Sequence, residues 1–225
     1  MNRLQLCQEL IDDCGITGAM TTTIGQTGEF ATVVRMIDEA YEDVQNEHSR
    51  WEFLKFTFTF STVAAAQTYT PAAAGVSDLA EWKTWGDDTF RVYTGAGTNE
   101  IYLHFVPWDL FRQTYLFSGN RTTTGLPVLY TVRPDQSLMF WPIPNAIFTV
   151  EGEYWKRPQV MAANVDEPLF PARFHRIIKA KARMAYGANE SSSEDFSKGE
   201  LDYKKLFSKL RRDQLPAISI GATLA

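Results

Sequence analysis

The chain has 225 residues, 44% of them hydrophobic and 22% charged, a balance ordinary for a folded soluble protein and enough for one large domain or two small ones. A net charge of −5 argues against general nucleic-acid affinity, and two cysteines and three histidines without Cys-x-x-Cys or His-x-x-x-His spacing argue against a metal or cofactor centre. The opening stretch MNRLQLCQELIDDCG carries acids inside its apolar run, which suits neither a secretory signal nor a membrane span, and no later run is long enough to cross a bilayer.

Leu4, Cys7, Leu10, Ile11 and Cys14 form a helical stripe over residues 3–14, with Gly15 as the stop. Cys7 and Cys14 lie on one face about two turns apart, too far for a disulfide, whose Cα atoms sit within ~7 Å. They read as buried free thiols in a reducing compartment. The Thr- and Gly-rich ITGAMTTTIGQTG is a linker. A second helix follows, with Thr27 as its N-cap and Phe30, Val33, Val34, Ile37, Ala40, Tyr41, Val44, His48 and Trp51 on its apolar face. Its opposite face carries Asp38, Glu39, Glu42, Asp43 and Glu47.

In RWEFLKFTFTF the period changes from ~3.6 to 2, because Phe56, Phe58 and Phe60 alternate with Lys55, Thr57 and Thr59. Strands are expected at 54–60, 67–70, 89–93, 100–106, 126–133, 137–143 and 146–156. Gly in YTGAGTNE and Pro-Asp in VRPDQS supply the turns between them. SLMFWPIPNAIFTVEGEYW reads as a hairpin around PIPNA. Two short helices are expected in SDLAEWKTW and PWDLFRQTYLF.

Helical spacing returns in FPARFHRIIKAKARMAYGANE, with Pro171 near the start, Phe174, Ile177, Ile178, Ala182, Ala185 and Tyr186 on one face, and Gly187 as the end. A final helix covers about 193–212, acidic at its start and basic at its end as the helix dipole prefers. Two short amphipathic helices at either end have little to bury alone. The economical fold is therefore α+β: a helical domain of residues 1–53 plus 171–212, an inserted antiparallel β-rich domain with its return linker over 54–170, and an extended C-terminal arm over 213–225. The arm is uncharged from Leu215 onward. Leu215, Ile218, Ile220 and Leu224 are its contact residues, either on its own subunit or, as favoured here, on a partner.

Charge is divided unevenly, at −7 over residues 1–53, −3 over 54–170 and +5 over 171–225. Arg176, Lys179 and Arg183 share a helix face with no acid between Pro171 and Ala188. This stripe suits a solvated face paired with the acidic second helix, a contact between copies, or DNA. In the contact between copies, Glu39, Glu42 and Asp43 of one chain face Arg176, Lys179 and Arg183 of the next. No P-loop, G-x-G-x-x-G or G-x-S-x-G motif occurs, so no enzyme activity, cofactor or metal is expected. Glu151 and Glu153 share a strand face and read as surface charge rather than a hydrolytic pair. Trp82, Trp85, Trp108, Trp141 and Trp155 suit a β core better than a sugar site.

The order of the elements resembles the head-to-tail adaptor (connector) proteins of tailed bacteriophages. A short first helix leads to the long acidic helix ending EDVQNEHSRWEFLKFTFTF. An aromatic β-rich insert with QTYTP and LMFWPIPNAIFTVEGEYWKRP follows, then the return helix LFPARFHRIIKAKARMAYG, a further helix and a tail. The resemblance spans nearly the whole chain and brings no catalytic residues. It implies a virion protein at the head–tail interface, assembled in the host cytoplasm as a dodecameric ring. One face would bind the portal protein and the other tail or nozzle proteins, with DNA passing through the channel without sequence-specific binding and no membrane involved. The alternative is a carbohydrate-binding or other tail accessory module built on the tryptophans.

Overall fold

The computed structural model describes residues 1–85, 89–95 and 97–215. Its α-helices are α1 (Arg3–Cys14), α2 (Gly28–Asn46), α3 (Trp108–Tyr115), α4 (Arg176–Asn189) and α5 (Ser193–Gln214). The strands are β1 (Lys55–Ser61), β2 (Thr68–Tyr69), β3 (Leu79–Trp82), β4 (Arg91–Thr94), β5 (Thr98–Tyr102), β6 (His104–Phe105), β7 (Thr124–Gly125), β8 (Leu129–Val132), β9 (Leu138–Trp141), β10 (Ile143–Pro144) and β11 (Thr149–Lys156). The class is α+β, with helices at both ends and a β-rich centre. Two compact units divide the chain: Met1–Leu54 with the residues from Pro158 onward, and Lys55–Arg157.

In the helical unit, α1 begins with a reciprocal capping box between Asn2 and Gln5 and ends at Gly15, whose φ of 67° is the left-handed conformation expected there. α2 stops at Asn46, short of Trp51. The apolar spacing continues past the helix because Trp51 is fully buried in the turn that follows. Its indole N–H donates to the Gln45 carbonyl at 3.0 Å, satisfying a terminal carbonyl of α2.

α4 runs on through Gly187, which is not its stop. A Cβ at Gly187 would lie 2.4 Å from the backbone nitrogen of Phe196, and one at Gly199 would lie 2.8 Å from the Ala180 carbonyl oxygen. These glycines let the backbones of α4 and α5 touch, and the three residues between the helices close an αα-hairpin. Helices from the two ends of the chain pack together in this unit. α4 lies against α1 and α2, with the Tyr186 hydroxyl donating to Glu29 at 2.8 Å.

Residues 158–170, read from sequence as the return linker, are sewn onto the same helices. The Tyr41 hydroxyl donates to Gln159 Oε1 at 2.6 Å, and Gln45 exchanges hydrogen bonds with the Gln159 backbone at 3.0 and 2.8 Å. The backbone N–H groups of Arg3 and Leu4, orphaned at the start of α1, donate to the carbonyls of Asp166 and Asn164.

The β unit is built around β11, which pairs antiparallel with β1, β3 and β4, with β5 added outside β4. A second sheet has the order β2-β9-β8-β6, and β7 and β10 form a short parallel pair. The alternation read in FTFTF is real: Phe58 and Phe60 are buried while Thr57 and Thr59 are exposed. Both sheets contribute to an aromatic core that includes Phe58, Tyr69, Trp82, Phe90, Tyr130 and Phe140. Gly152 faces Phe58 across the ladder. A Cβ there would meet the Phe58 ring at 2.8 Å and the Phe90 ring at 3.1 Å, so the glycine makes room for both.

Three expectations are corrected here. SDLAEWKTW holds strand β3 rather than a helix. Leu79 and Trp82 are both buried at a spacing of three because the register shifts between Trp155 and Lys156, which lets two strand residues of helical spacing face one core. The residues around PIPNA do not make a hairpin: β9 belongs to the second sheet and β11 to the first, so the connection changes sheets. The strand expected over 100–106 breaks at buried Leu103, with β5 on β4 and β6 on β8. PWDLFRQTYLF contains α3 as expected.

Of the C-terminal arm, Leu215 leaves α5 with φ −104° and ψ 142°, an extended conformation. Ile218, Ile220 and Leu224 lie outside the described residues, as do Asp87 and Asp88.

Candidate subunit interface

The six charged residues singled out in the sequence all lie on the helical unit. Glu39, Glu42 and Asp43 follow from the helical spacing of α2, and Arg176, Lys179 and Arg183 from that of α4. Within one subunit the two sets do not meet. Glu39 pairs with Arg35 one turn earlier at 2.9 Å, both about half exposed. Glu42 is exposed. Asp43 meets Lys181 at 3.1 Å, and Lys181 also reaches Glu47 at 3.6 Å.

The basic face is partnered by α1 and α5. Lys179 sits between Glu9 at 2.9 Å and Asp13 at 2.8 Å, with its side chain only 18% exposed. Burial works against the Lys179 ammonium, but hydrogen bonds to Asp13 and Glu9 outweigh it and hold its pKa above the ordinary lysine value. Arg183, 15% exposed, donates to Asp195 at 3.0 and 2.7 Å and to the Asp13 carbonyl at 3.1 Å. Asp195 also accepts from the Ser192 hydroxyl. That bond, with Arg183, keeps its carboxyl below the usual range at the start of α5. Lys179 and Arg183 therefore clamp α1, α4 and α5 together. Arg176 is different: its side chain is 69% exposed and its nearest acid, Glu9, is 3.9 Å away.

The sequence reading overlooked the residues that complete both faces. Arg176, Lys179, Arg183, Lys205 and Lys209 line a groove of about 320 Å³ between α4 and α5, with Leu206 also in its lining and Asp13 and Asp202 as its acids. Lys205 and Lys209 are both exposed. Their i, i+4 spacing was visible in the sequence, but nothing there said that this edge of α5 faces Arg176. On α2 a second groove, of about 370 Å³, includes Ala31, Val34, Val160 and Met161 below Asp38, Glu39 and Glu42.

Arg3 is a further residue that sequence inspection left unassigned. Its guanidinium is buried and makes a two-pronged contact with Asp38 at 2.9 and 2.6 Å, then donates to Thr23 Oγ1 and the Ala162 carbonyl. It joins α1, α2 and the 158–170 segment at one point.

The other candidate chemistry resolves into packing. Glu151 pairs with Arg91 at 2.8 Å and Glu153 with Lys83, so each strand carboxylate has a cation beside it. Trp82 and Trp155 are buried, Trp141 packs at a tilt against Tyr115 with ring centres 4.7 Å apart, and Trp85 stacks on Trp155 at 5.5 Å. Cys7 and Cys14 are free thiols, and burial pushes them up to about 12 and about 11, far from a reactive thiolate. Among the described residues no cluster of His, Cys, Asp and Glu is arranged to hold a metal ion, and no helix is long and apolar enough to cross a membrane.

Comparison with known proteins adds one positive finding. The family model for the SU10 adaptor protein matches residues 1–219, which takes in both terminal helix sets and the β-rich centre. The search of curated proteins found no match. A match of that extent, over a chain whose order of elements had already resembled phage connectors, places the chain in the SU10 adaptor protein family, the structural adaptor proteins of bacteriophages.

Proposed function

We propose that this adaptor assembles into a closed ring of twelve copies that docks on the portal with one face and receives tail or nozzle proteins on the other. DNA passes through its centre without being read in sequence. The role is structural, in the neck of the virion, with assembly in the host cytoplasm and no catalysis.

One observation carries this reading. A single helical unit carries an acidic side on α2, with Glu39 and Glu42, and a basic groove on α4 and α5, with Arg176, Lys205 and Lys209, while Asp43 is engaged by Lys181 of its own α4. Opposite charges on different sides of one body suit a heterologous interface, which closes into a ring when the rotation between copies allows it. Arg176 faces the neighbour directly in this scheme. Lys179 and Arg183 shape the groove from within, their charges met by Glu9, Asp13 and Asp195 of the same subunit. Exposed ion pairs contribute only about 0–1 kcal/mol each, so charge sets partner and register while apolar contacts supply most of the affinity.

Mass photometry of the pure protein, alone and mixed with its portal protein, tests the proposal. The expected species has about twelve times the 25.5 kDa subunit mass, formed alone or on the portal. A protein that stays monomeric in both settings would overturn the ring.

A further inference from the structure

The groove on α2 has a chemistry of its own. Ala31, Val34 and Met161 form its apolar floor, and Val160 beside them is 74% exposed. Its rim is acidic on balance, with Asp38, Glu39 and Glu42 against Arg35. Arg3 engages Asp38 and Arg35 engages Glu39, while Glu42 has no ion-pair partner among the described residues. An apolar lining whose exposed part is chiefly Val160, set beside acidic side chains, suits an apolar peptide that arrives behind positive charge.

The chain contains one such segment. α5 ends with Arg211 and Arg212, and from Leu215 to Ala225 no residue is charged. Pro216 disfavours helix at the residue before it, and Leu215 is already extended. Beyond α5 the sequence is thus an apolar peptide with two cations just upstream and Leu215, Ile218, Ile220 and Leu224 to bury.

The position of the groove selects the copy that supplies the segment. α4 meets α2 along Glu29, Asp43 and Glu47, through Tyr186 and Lys181. Ala31, Arg35, Asp38 and Glu42 lie roughly half a turn round the helix from that line. α5 packs on α4, and its last turn is tied by Asp213 to Arg173 ahead of α4. The segment thus starts from the α4–α5 side of the unit, while the groove opens on the other side. In a head-to-tail pair, the α4–α5 side of one copy faces the α2 side of the next.

We infer that the α2 groove of each copy receives the C-terminal segment, residues 211–225, of its neighbour. The apolar side chains fill the floor, and Arg211 and Arg212 meet Glu39 and Glu42. This rests on the head-to-tail reading above and adds the element that locks each contact.

The test uses the full-length chain with the photo-cross-linker p-benzoylphenylalanine at position 160, where the native valine is exposed. Unlabelled and ¹⁵N-labelled copies are mixed, assembled, irradiated and mapped by mass spectrometry. The expected product joins position 160 of one isotopic form to a residue within 211–225 of the other. Cross-links confined to one copy, or reaching only the portal protein when it is present, would overturn the inference. If no assembly forms, the ring reading fails and a second measurement decides the groove separately. A fluorescein-labelled peptide of residues 209–225 is titrated onto the protein and onto its Glu39→Lys/Glu42→Lys variant. Binding at least tenfold weaker in the variant supports the groove. Equal binding, or none to either protein, rejects it.

Discussion

His175 shows how a single side chain can tie distant parts of this chain together. It is 2% exposed at the start of α4. Its Nε2 lies 2.9 Å from the Phe170 carbonyl, and its Nδ1 lies 2.9 Å from the amino group of Met1. The neutral ring with its proton on Nε2 donates to Phe170 and accepts from the Met1 amino group, while the Met1 carbonyl, 3.0 Å from Nδ1, gets no donor from the ring. Burial holds the pKa below the ordinary histidine value. The bond to Phe170 pulls the other way, and the nearby Met1 ammonium lowers it further. The sign of the pH dependence follows. Below about 6.5 the unfolded chain takes up a proton that the folded site resists, so this contribution to stability is complete above that pH and lost as pH falls through it. Denaturation midpoints should therefore drop between pH 7.5 and pH 5.5, and His175→Gln should flatten part of that drop. An unchanged profile in the variant would exclude His175 as the cause. Arg3 makes a second residue-scale prediction. Arg3→Ala strands the Asp38 carboxylate in a partly buried site and should cost about 3 kcal/mol in chemical denaturation. Adding Asp38→Asn should recover part of the loss, because the unpaired charge is then gone.

Among the elements, α5 depends most on close backbone approach. Only Gly199 and Leu210 are buried along it, so its hold on α4 is a narrow seam kept tight by Gly187 and Gly199. Helix propensity alone favours Ala over Gly by about 1 kcal/mol. At Gly199 the new methyl would press on the Ala180 carbonyl and the Met184 nitrogen, both 2.8 Å away, and backbone atoms cannot swing aside as a side chain would. Gly199→Ala should therefore destabilise the helical unit by about 1–3 kcal/mol in a thermal or urea melt. Ser197→Ala, exposed on the same helix, should not. A stabilised Gly199→Ala protein would show that the seam has room. The elements also differ in how plainly the sequence announced them. Long amphipathic spacing marked α2 and α4. Leu79 and Trp82, three apart, imitated a helix because the register shift opposite β3 is invisible in a one-dimensional pattern.

For the whole molecule, the decisive property is the placement of charge on the helical unit. The obvious experiment, reversing the whole basic stripe of α4, would mislead, because Lys179 and Arg183 hold their own subunit together. Arg176, Lys205 and Lys209 are the exposed positions. The triple reversal to Glu should leave the subunit's melting behaviour nearly unchanged, since exposed substitutions cost within about 0.5 kcal/mol each. It should nonetheless suppress assembly in mass photometry. Three exposed pairs at about 0–1 kcal/mol each amount to at most about a hundredfold in affinity per contact, which a closed ring multiplies over its interfaces. Combining the triple variant with Glu39→Lys and Glu42→Lys should recover assembly only in part, because the introduced glutamates then meet lysines while Arg211 and Arg212 lose their acidic partners. If the triple variant assembles like the parent, charge does not choose the neighbour.

Local pattern was enough to establish the α+β class, the terminal helices, the alternation of β1, the acidic α2 and basic α4, and the order of elements that resembled phage adaptors. Each of these depends on side-chain periodicity or composition, which a linear sequence carries in full. Other features depend on which residues meet across long separations. Tertiary structure alone decided that Gly187 permits helix contact rather than ending α4, that residues 158–170 belong with the helices, and that PIPNA connects two sheets. It also decided that Lys179 and Arg183 find their acids on α1 and α5 while Arg176, Lys205 and Lys209 are left at the surface. Periodicity tells which face of a helix is charged. Only packing tells which of those charges are neutralised within the subunit and which remain for a partner.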